Sequence, residues 1–480
     1  MKEIITPQMR QRADQILEEN WMGTHTIPSG GKHKKHYLKK FDWDSSFIEF
    51  MNGHRGDLDK AVTEQYTGLK AIDPKTGFIP NMVLYGRRTW RDLEWITFSN
   101  SKKNKKEFHS SYTQPPLQPW SAWETYQRFQ EQGREDEGRE FLSNMFGEVT
   151  QDRVSGLRGA YDYFAKHREN GNGSHLIGIY HPHEDGRDSS PDNDDERFLI
   201  RWNGKLRKKN GKVRTPRLNT VFDTLGFLKI NIKAKMVSWE PEKMRNIYWV
   251  NDVMFNCIYA NGLRSMAKIS LELGEVAEAE RYTNIANTVE AEILEGMWNG
   301  DEGKEFFYNR DKHGKQSKNA SVGGLLPITL DTIPKPKLIK LLDKLEDPEW
   351  FGTEYPIPSL PTHSDSYDPG YTLKRLWLGP TWINMNHIIA EEGLVKQIER
   401  FSKGKDKDEQ LCKRMISILK NLVEATEKMV GEDLEKNNTS HEFYNPHTKK
   451  GYRIEGFAWS LLGLHLHKSK ALLEKFEAAF

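Results

Sequence analysis

Residues 252–297 read DVMFNCIYANGLRSMAKISLELGEVAEAERYTNIANTVEAEILEGM, two helical stretches separated by one turn. Apolar residues recur with helical spacing from Asp252 to Leu273, where Gly274 ends the run, and again from Ala277 to Met297. The first stretch is unusually apolar. Together they predict a pair of helices joined by a short turn.

Further helical stretches occur on both sides of this pair, separated by Gly, Pro and aromatic loops. They comprise Asp57–Ile72, Trp120–Gln132, Glu135–Phe146, Trp382–Glu392, Leu394–Phe401, Leu411–Val430 and Ala458–Phe480. Alternating runs typical of strands are few, so the chain is predicted to be all-α. Because strict repeats are absent, a closed toroid of paired helices fits better than an open solenoid. In such a toroid the loops at one end converge on a central cavity.

The chain of 480 residues shows no low-complexity linker, so residues 1–480 are predicted to form one domain. The best boundary candidate is Ile200–Pro241, which has turn signals at Asn203-Gly204 and Asn210-Gly211. Its first part, 200–217, is rich in Lys and Arg and lacks acids. We interpret residues 200–241 as a cap-like insertion over the ring that contains a small hairpin.

Composition excludes several classes of function. The formal net charge is +2, so no global field favours nucleic acid or a membrane surface. Lys/Arg runs at 32–40, 102–106 and 205–217 are better explained as solvated surface, because no reading helix or zinc motif accompanies them. The two cysteines, Cys257 and Cys412, are too few for a disulfide framework. With no signal peptide or membrane-spanning run, the sequence predicts a cytoplasmic protein.

The segment 181–191, HPHEDGRDSSP, places several carboxylates on a turn-rich loop, and Glu442 lies beside an aromatic residue and a turn near the other end of the chain. Two such acids, in a chain with 14 tryptophans, are the pattern that a glycoside hydrolase needs: one protonated to release the leaving group, the other ionised. Acids crowded around Asp188 would raise its pKa, which suits a general acid. Two other interpretations stay open: a solvated acidic loop, or calcium binding through Asp192, Asp194 and Glu196.

Three further segments could contact a sugar. Asp44 follows Trp43, so its carboxylate could accept bonds from vicinal hydroxyls while the indole stacks on the ring; an Asp N-cap over core aromatics explains the segment equally well. Gln114 projects one amide from a loop stiffened by Pro115-Pro116. Trp377 and Trp382 flank a Gly-Pro turn, an arrangement suitable for a cleft wall.

These motifs together resemble glycoside hydrolase family 63, in particular its compact branch of mannosylglycerate and glucosylglycerate hydrolases. The resemblance spans roughly residues 37–460. It is carried by Asp42-Trp43-Asp44-Ser45 with Phe47, Gly77-Phe78-Ile79-Pro80-Asn81, Thr113-Gln114-Pro115-Pro116, the 181–191 segment, Asp252 with Asn256, Gly379-Pro380-Thr381-Trp382-Ile383-Asn384 and Glu442-Phe443-Tyr444-Asn445-Pro446. Each motif alone is weak, and their joint order and spacing are specific.

The resemblance implies an (α/α)6 barrel that hydrolyses a small α-glycoside with inversion, without a cofactor or a metal. Asp188 matches the general acid and Glu442 the general base. The positions that match substrate-binding residues are Tyr37, Phe41, Trp43, Asp44, Gln114, Trp382 and, near the aglycone, Trp377. The implied partner is a small glycoside, and a homo-oligomer is compatible with the sequence.

The chain departs from the family on the aglycone side. It has Leu376-Trp377-Leu378-Gly379-Pro380 where the family commonly has Tyr-Trp-Arg-Gly-Pro, so an aromatic residue and a cation are missing. Arg214 or Arg217 in the basic insertion could supply the cation. Three hypotheses follow: hydrolysis of mannosylglycerate or glucosylglycerate, an α-glucosidase acting on neutral di- or oligosaccharides, and a non-catalytic carbohydrate-binding protein.

Overall fold

A computed structural model describes residues 4–29, 39–85, 107–148, 155–171, 173–193, 208–209, 212–213 and 216–477. Helices dominate these ranges. The α-helices are α1 (Pro7–Asn20), α2 (Asp42–His54), α3 (Leu58–Leu69), α4 (Gln118–Glu131), α5 (Glu135–Phe146), α6 (Gly156–His167), α7 (Pro216–Met236), α8 (Pro241–Met244), α9 (Val253–Glu272), α10 (Val276–Gly296), α11 (Lys335–Glu346), α12 (Ile383–His387), α13 (Val395–Phe401), α14 (Glu409–Asn437) and α15 (His467–Glu477).

Short helical segments of other types connect them. The 3-10 segments are Pro182–Asp185, Pro191–Asn193, Val322–Thr329, Gly404–Asp406 and Ala458–Leu464, and Ile388–Leu394 is a π-helix. Small antiparallel ladders complete the chain: β1 (Lys39–Phe41), β2 (Met82–Tyr85) and β3 (Glu107–His109) in one sheet, and the pairs β4 (Lys208–Lys209) with β5 (Lys212–Val213), β6 (Val250–Asn251) with β9 (Arg310–Asp311), β7 (Trp298–Asn299) with β8 (Phe306–Phe307), and β10 (His441–Tyr444) with β11 (Gly451–Glu455).

The helix pair formed by α9 and α10 begins and ends where its sequence signals lie. The Asp252 carboxylate caps α9 by accepting from the backbone N–H of Phe255 at 2.7 Å. After α9 the chain turns at Gly274, whose φ of +81° is a conformation that glycine adopts without strain. The predicted pair is therefore confirmed, with each boundary within one residue.

Inner segments contact one another in a cyclic order. Helix α2 packs on α4, α4 on α9, and α9 on the segment 322–329; the contacts continue through 383–394 and 458–464, which returns to α2. The α2–α3, α4–α5 and α9–α10 pairs are helical hairpins within this arrangement. One large apolar core, including Trp43, Phe255 and Leu326, fills the space between the segments. The mainly helical fold is consistent with an α/α toroid.

Four predicted helical stretches differ in form or length from the observed segments. The predicted stretches Trp382–Glu392 and Leu394–Phe401 are one continuous helical segment that passes from α12 through the π-helix into α13. The predicted helix Ala458–Phe480 is a 3-10 segment followed by α15, and residues 478–480 lie outside the described part. The predicted Leu411–Val430 is the centre of a longer helix, α14, which ends where Asn438 adopts φ +53°.

The basic insertion contains the predicted hairpin, since Lys208 pairs with Val213 and Lys209 with Lys212. It also contains the helix α7, which the sequence interpretation did not include, and α8 begins at its last residue, Pro241. Phe227 of α7 packs on His183 with a ring-centroid distance of 4.5 Å. The insertion therefore contacts the loop that carries Asp188, and its role as a cap stays a prediction. None of the helices, as far as the structure describes them, has the length and hydrophobicity needed to span a membrane.

Candidate active site

The half-buried Asp188 lies on a loop between two 3-10 turns. Gly186 and Ser189 both have left-handed backbones, with φ of +73° and +71°, so the chain reverses direction tightly around the acid. The backbone N–H of Trp377 donates to the carbonyl of Asp188 at 3.3 Å. The loop of the matched general acid is thus joined to the segment that carries the matched aglycone residue.

The buried guanidinium of Arg187 anchors this loop to the core. It donates to Asp192 at 2.8 Å and to Asp252, the N-cap of α9, at 2.5 Å, and it lies 3.1 Å from Asp185. The hydroxyl of Ser321 accepts a further bond at 2.5 Å. Because a buried charge must be paired and hydrogen-bonded, this network determines the position of the residue next to Asp188.

A second buried ion pair holds the start of the loop. Arg168 donates two bonds to Glu184, at 2.7 and 2.9 Å. The same carboxylate accepts from the backbone N–H groups of Thr113, at 3.1 Å, and Tyr180, at 2.6 Å. Glu184 thereby joins the Asp188 loop to the segment that carries Gln114.

These contacts change the interpretation of the acidic loop. Glu184, Asp185 and Asp192 are buried and bonded to Arg168 or Arg187, so the idea of a solvated acidic loop is wrong for them. The calcium interpretation needed Asp194 and Glu196, which lie outside the described residues. Within the described ranges no group of His, Cys, Asp and Glu side chains has the arrangement of a metal site.

Glu442 lies in β10 with its side chain almost fully buried. Arg453 of β11 donates to its Oε1. The ladder is irregular here, because His441 faces Glu455 and Phe443 faces Tyr452. One residue of β10 therefore opposes two of β11, which is a β-bulge.

An aromatic wall connects the segments that carry the two acids, because Trp377 bonds to the Asp188 backbone and Trp382 packs on Phe443. Trp377 stacks on Trp382 with centroids 4.1 Å apart and planes within 2°. Trp382 meets Trp459 edge-on at 5.7 Å, and Trp459 meets Trp43 edge-on at 5.4 Å. The indoles predicted at 43, 377 and 382 therefore form one contiguous set, which Trp459 completes. The sequence interpretation missed Trp459.

Trp43 and Asp44 occupy the first turn of α2. The N-cap position is Phe41, which provides no side-chain cap, so the interpretation of Asp44 as an N-cap was wrong. The backbone N–H of Trp43 donates to Oε1 of Gln114 at 3.2 Å. Phe41 is half-buried at the end of β1, and Tyr37 lies outside the described residues.

Electrostatics brings Asp44, Asp188 and Glu442 together. Burial, together with the nearby charges of Glu442 and Asp188, raises the pKa of Asp44 to about 8, while Lys40 partly opposes the increase. Screening by solvent and salt weakens interactions between distant exposed charges, so an effect of Glu442 and Asp188 on Asp44 indicates that the three acids are close or buried together. Three acids from distant parts of the sequence therefore share one electrostatic environment, with Asp44 uncharged at neutral pH.

Comparisons with known proteins identify the family. Residues 37–460 match the family described as the mannosylglycerate hydrolase MGH1-like glycoside hydrolase domain. The chain is 23% identical over 463 residues to a mannosylglycerate hydrolase of Thermus thermophilus, covering 94% of this chain and 98% of that protein. It is 22% identical over 467 residues to a mannosylglycerate hydrolase of Rubrobacter radiotolerans, covering 94% of each.

A solved structure shares the fold. It is that of a GH63 mannosylglycerate hydrolase from Thermus thermophilus in complex with glucose. The TM-score is 0.71 at 22% identity, covering 95% of this chain and 99% of that one.

Proposed function

Because the chain belongs to the mannosylglycerate hydrolase MGH1-like family of glycoside hydrolases, we propose that it hydrolyses a small α-mannosyl or α-glucosyl substrate with inversion. Mannosylglycerate is the first candidate and glucosylglycerate the second. As a glycoside hydrolase the protein binds a small sugar substrate. The observation that carries the proposal is the action of both Asp188 and Glu442 on the pKa of the single buried carboxyl of Asp44.

In this mechanism Asp188 donates its proton to the glycosidic oxygen as the bond to the anomeric carbon breaks. Glu442 removes a proton from a water molecule, whose oxygen attacks the same carbon from the opposite face. Inversion requires the two carboxyl groups to lie roughly 6.5–9.5 Å apart so that this water fits between them. Asp44, uncharged at neutral pH, would donate to a sugar hydroxyl or accept from one, rather than act as an anion.

The remaining predicted residues are assigned proposed roles in sugar binding. Trp43 and Trp382 belong to one aromatic wall, are 1% and 2% exposed, and are proposed to back the subsite that holds the pyranose ring. Trp377 stacks behind Trp382 next to the departure at Leu378 and is assigned to the aglycone side. Gln114 is held by the Trp43 backbone, which leaves its amide N–H groups for hydroxyls. Phe41 and Tyr37 remain proposed sugar contacts on resemblance alone.

A specific observation favours a neutral aglycone as the second candidate. Leu378 is buried in a small apolar cluster with Leu360 and Leu373, and Tyr367 packs against it. The position where the family commonly has a cation is thus part of an apolar cluster. Whether Arg214 or Arg217 replaces that cation stays a prediction, because Arg214 and the side chain of Arg217 lie outside the described residues. An α-glucosidase acting on neutral di- or oligosaccharides fits this cluster.

One substrate panel tests both candidates. Purified protein is incubated with mannosylglycerate, glucosylglycerate and neutral α-disaccharides, and free hexose is measured. Proton NMR of the first product formed should show the β-anomer, as inversion of an α-glycoside requires. Asp188→Asn and Glu442→Gln should each abolish release. No release from any of these compounds would refute the proposal, and preference for disaccharides would select the second candidate.

We also infer that the ring consists of six hairpins. The cyclic order of the inner segments, from α2 to 458–464, supports this count. An experimental structure with bound sugar would test it together with the carboxyl separation. The cytoplasmic location and a homo-oligomeric state remain predictions.

A further inference from the structure

Arg453 lies beside the proposed base because of an irregularity in its strand. In the bulge between β10 and β11, Arg453 adopts a left-handed backbone with φ +72°, which L-residues other than Gly, Asn and Asp rarely do. The bulge aims the Arg453 side chain at Glu442, where its Nη1 donates to Oε1. A conformation of this kind persists only where the surroundings hold it, and it often marks a functional site.

The surroundings of Glu442 would otherwise favour its protonated form. Its side chain is 4% exposed, and the carboxyls of Asp44 from α2 and Asp188 from the acid loop share its environment. Burial and neighbouring acids both raise a carboxyl pKa. The Tyr371 hydroxyl faces the same ion pair and hydrogen-bonds with Arg453. The charge of Lys40, from β1, lowers the pKa of Asp44.

We infer that Arg453 is a positioning residue for the reaction: its guanidinium keeps Glu442 ionised and fixes the carboxylate through Oε1. This inference rests on the proposed role of Glu442 as general base. Arg453 would act through Glu442 and touch neither the reacting carbon nor the water. An ionised base is what allows proton removal from water when the cavity is otherwise acidic.

The test is the pH dependence of kcat/KM for wild type, Arg453→Gln and Arg453→Lys. Removing an adjacent opposite charge raises a carboxyl pKa by about 1–3 units. The acidic limb of Arg453→Gln should therefore move up by about one unit or more, which lowers kcat/KM about tenfold on that limb. Arg453→Lys keeps the charge and should show a smaller shift. A uniform loss at every pH with an unmoved limb would overturn the inference, because it is what a merely structural role predicts.

A matched control exists on the surface. Arg139 pairs with Glu272 at 2.8 Å, and its side chain is 61% exposed. Arg139→Gln removes the same charge from an exposed Arg–Glu pair that joins α5 to α9 and should leave the profile unchanged. A limb shift of equal size in this control would overturn the inference, since net charge alone would then explain it.

An infrared measurement separates failure of this inference from failure of the proposed function. The difference spectrum of wild type minus Glu442→Gln at about pH 5 reports the state of Glu442 without any turnover. A carboxylate band supports the inference even if no glycoside is hydrolysed. A protonated carboxyl band overturns it even if hydrolysis is observed, and this readout does not require Arg453→Gln to fold.

Discussion

Gly186→Ala probes how the acid loop and the aromatic wall fit together. Gly186 has φ +73°, and a Cβ added to it would lie 2.6 Å from Cζ2 and 2.7 Å from Cε2 of Trp43. Trp43 has little freedom to withdraw, because Trp459 and Phe47 meet it edge-on at 5.4 and 5.7 Å. The substitution should therefore both strain the loop and displace the indole.

The magnitude has two parts. A left-handed backbone costs an L-residue about 1–2 kcal/mol. Overpacking a well-filled core costs about 1–3 kcal/mol more. To restore an ordinary contact of about 3.6 Å, Trp43 and the loop must separate by roughly 1 Å. A displacement of this size in a sugar-binding wall lowers turnover by about 100-fold in well-ordered active sites. The free energy of unfolding should thus fall by about 2–5 kcal/mol and kcat/KM by about two orders of magnitude.

Gly274→Ala is the matched control, because Gly274 also has a left-handed backbone, with φ +81°, and no atom lies within 4 Å of its added Cβ. It should show only the backbone part of the destabilisation and full activity. Urea unfolding of both variants, followed by circular dichroism, and steady-state kinetics give the comparison. If Gly186→Ala were as stable as Gly274→Ala and as active as wild type, the close contact between the acid loop and Trp43 would be refuted.

Three further substitutions test the buried charges. Asp44→Asn should raise the free energy of unfolding at pH 8 by a few kcal/mol while lowering kcat/KM at least tenfold. The Asp44 carboxyl ionises from about pH 4 in the unfolded state and only near pH 8 in the native state, so it destabilises the fold as pH rises through that window. A less stable variant in urea titrations would contradict this. Arg187→Met leaves three acids without their cation and should lose about 3–5 kcal/mol in the same assay, whereas an unchanged midpoint would show that the network contributes nothing. Burial lowers the pKa of His387 to about 3, so the unfolded state takes up the proton first as pH falls below about 6.5. Wild type should therefore lose about 2 kcal/mol of stability through this residue between pH 7 and 5, and His387→Leu should not show that part of the loss. Parallel pH profiles of stability for the two proteins would exclude this role.

The helices that the sequence predicted well are those whose signals are local. Helix α5 was predicted at its observed bounds, with acids at Glu135, Asp136 and Glu137 in its first turn and Gly147 after its end. The π-helix at 388–394 and the 3-10 segment at 458–464 were not predicted. Their backbones depend on close approach between segments: a Cβ on Gly393 would lie 2.8 Å from Ile328, and one on Gly463 equally close to Val430. Periodicity along one segment carries no information about such contacts.

The site residues divide in the same way. The sequence identified acids and aromatic residues because their type and setting suggest chemistry. It missed Arg168, Arg187 and Arg453, because an arginine reveals its function only through the carboxylate it faces, and that partner lies on another segment in two of the three cases. From the sequence, the acids near Asp188 were interpreted as a crowd of like charges, whereas Glu184, Asp185 and Asp192 are paired with guanidinium groups in the structure.

Asp44 is the residue at which stability and function conflict most clearly. It does not cap α2, and burial next to the charges of Glu442 and Asp188 disfavours its ionised form. An apolar or amide side chain at this position would satisfy the fold better, since a buried acid near like charges destabilises the native state as pH rises. Locally unfavourable residues of this kind concentrate at functional sites, where the chemistry requires what the fold does not. The strained Arg453 has the same character, because its left-handed backbone is unfavourable while its side chain contacts Glu442 and the Tyr371 hydroxyl. The buried acid Asp44 of α2 and the left-handed Arg453 of β11 are both unfavourable for the fold, and both interact with Glu442. This is the strongest physical reason to propose Glu442 as the general base.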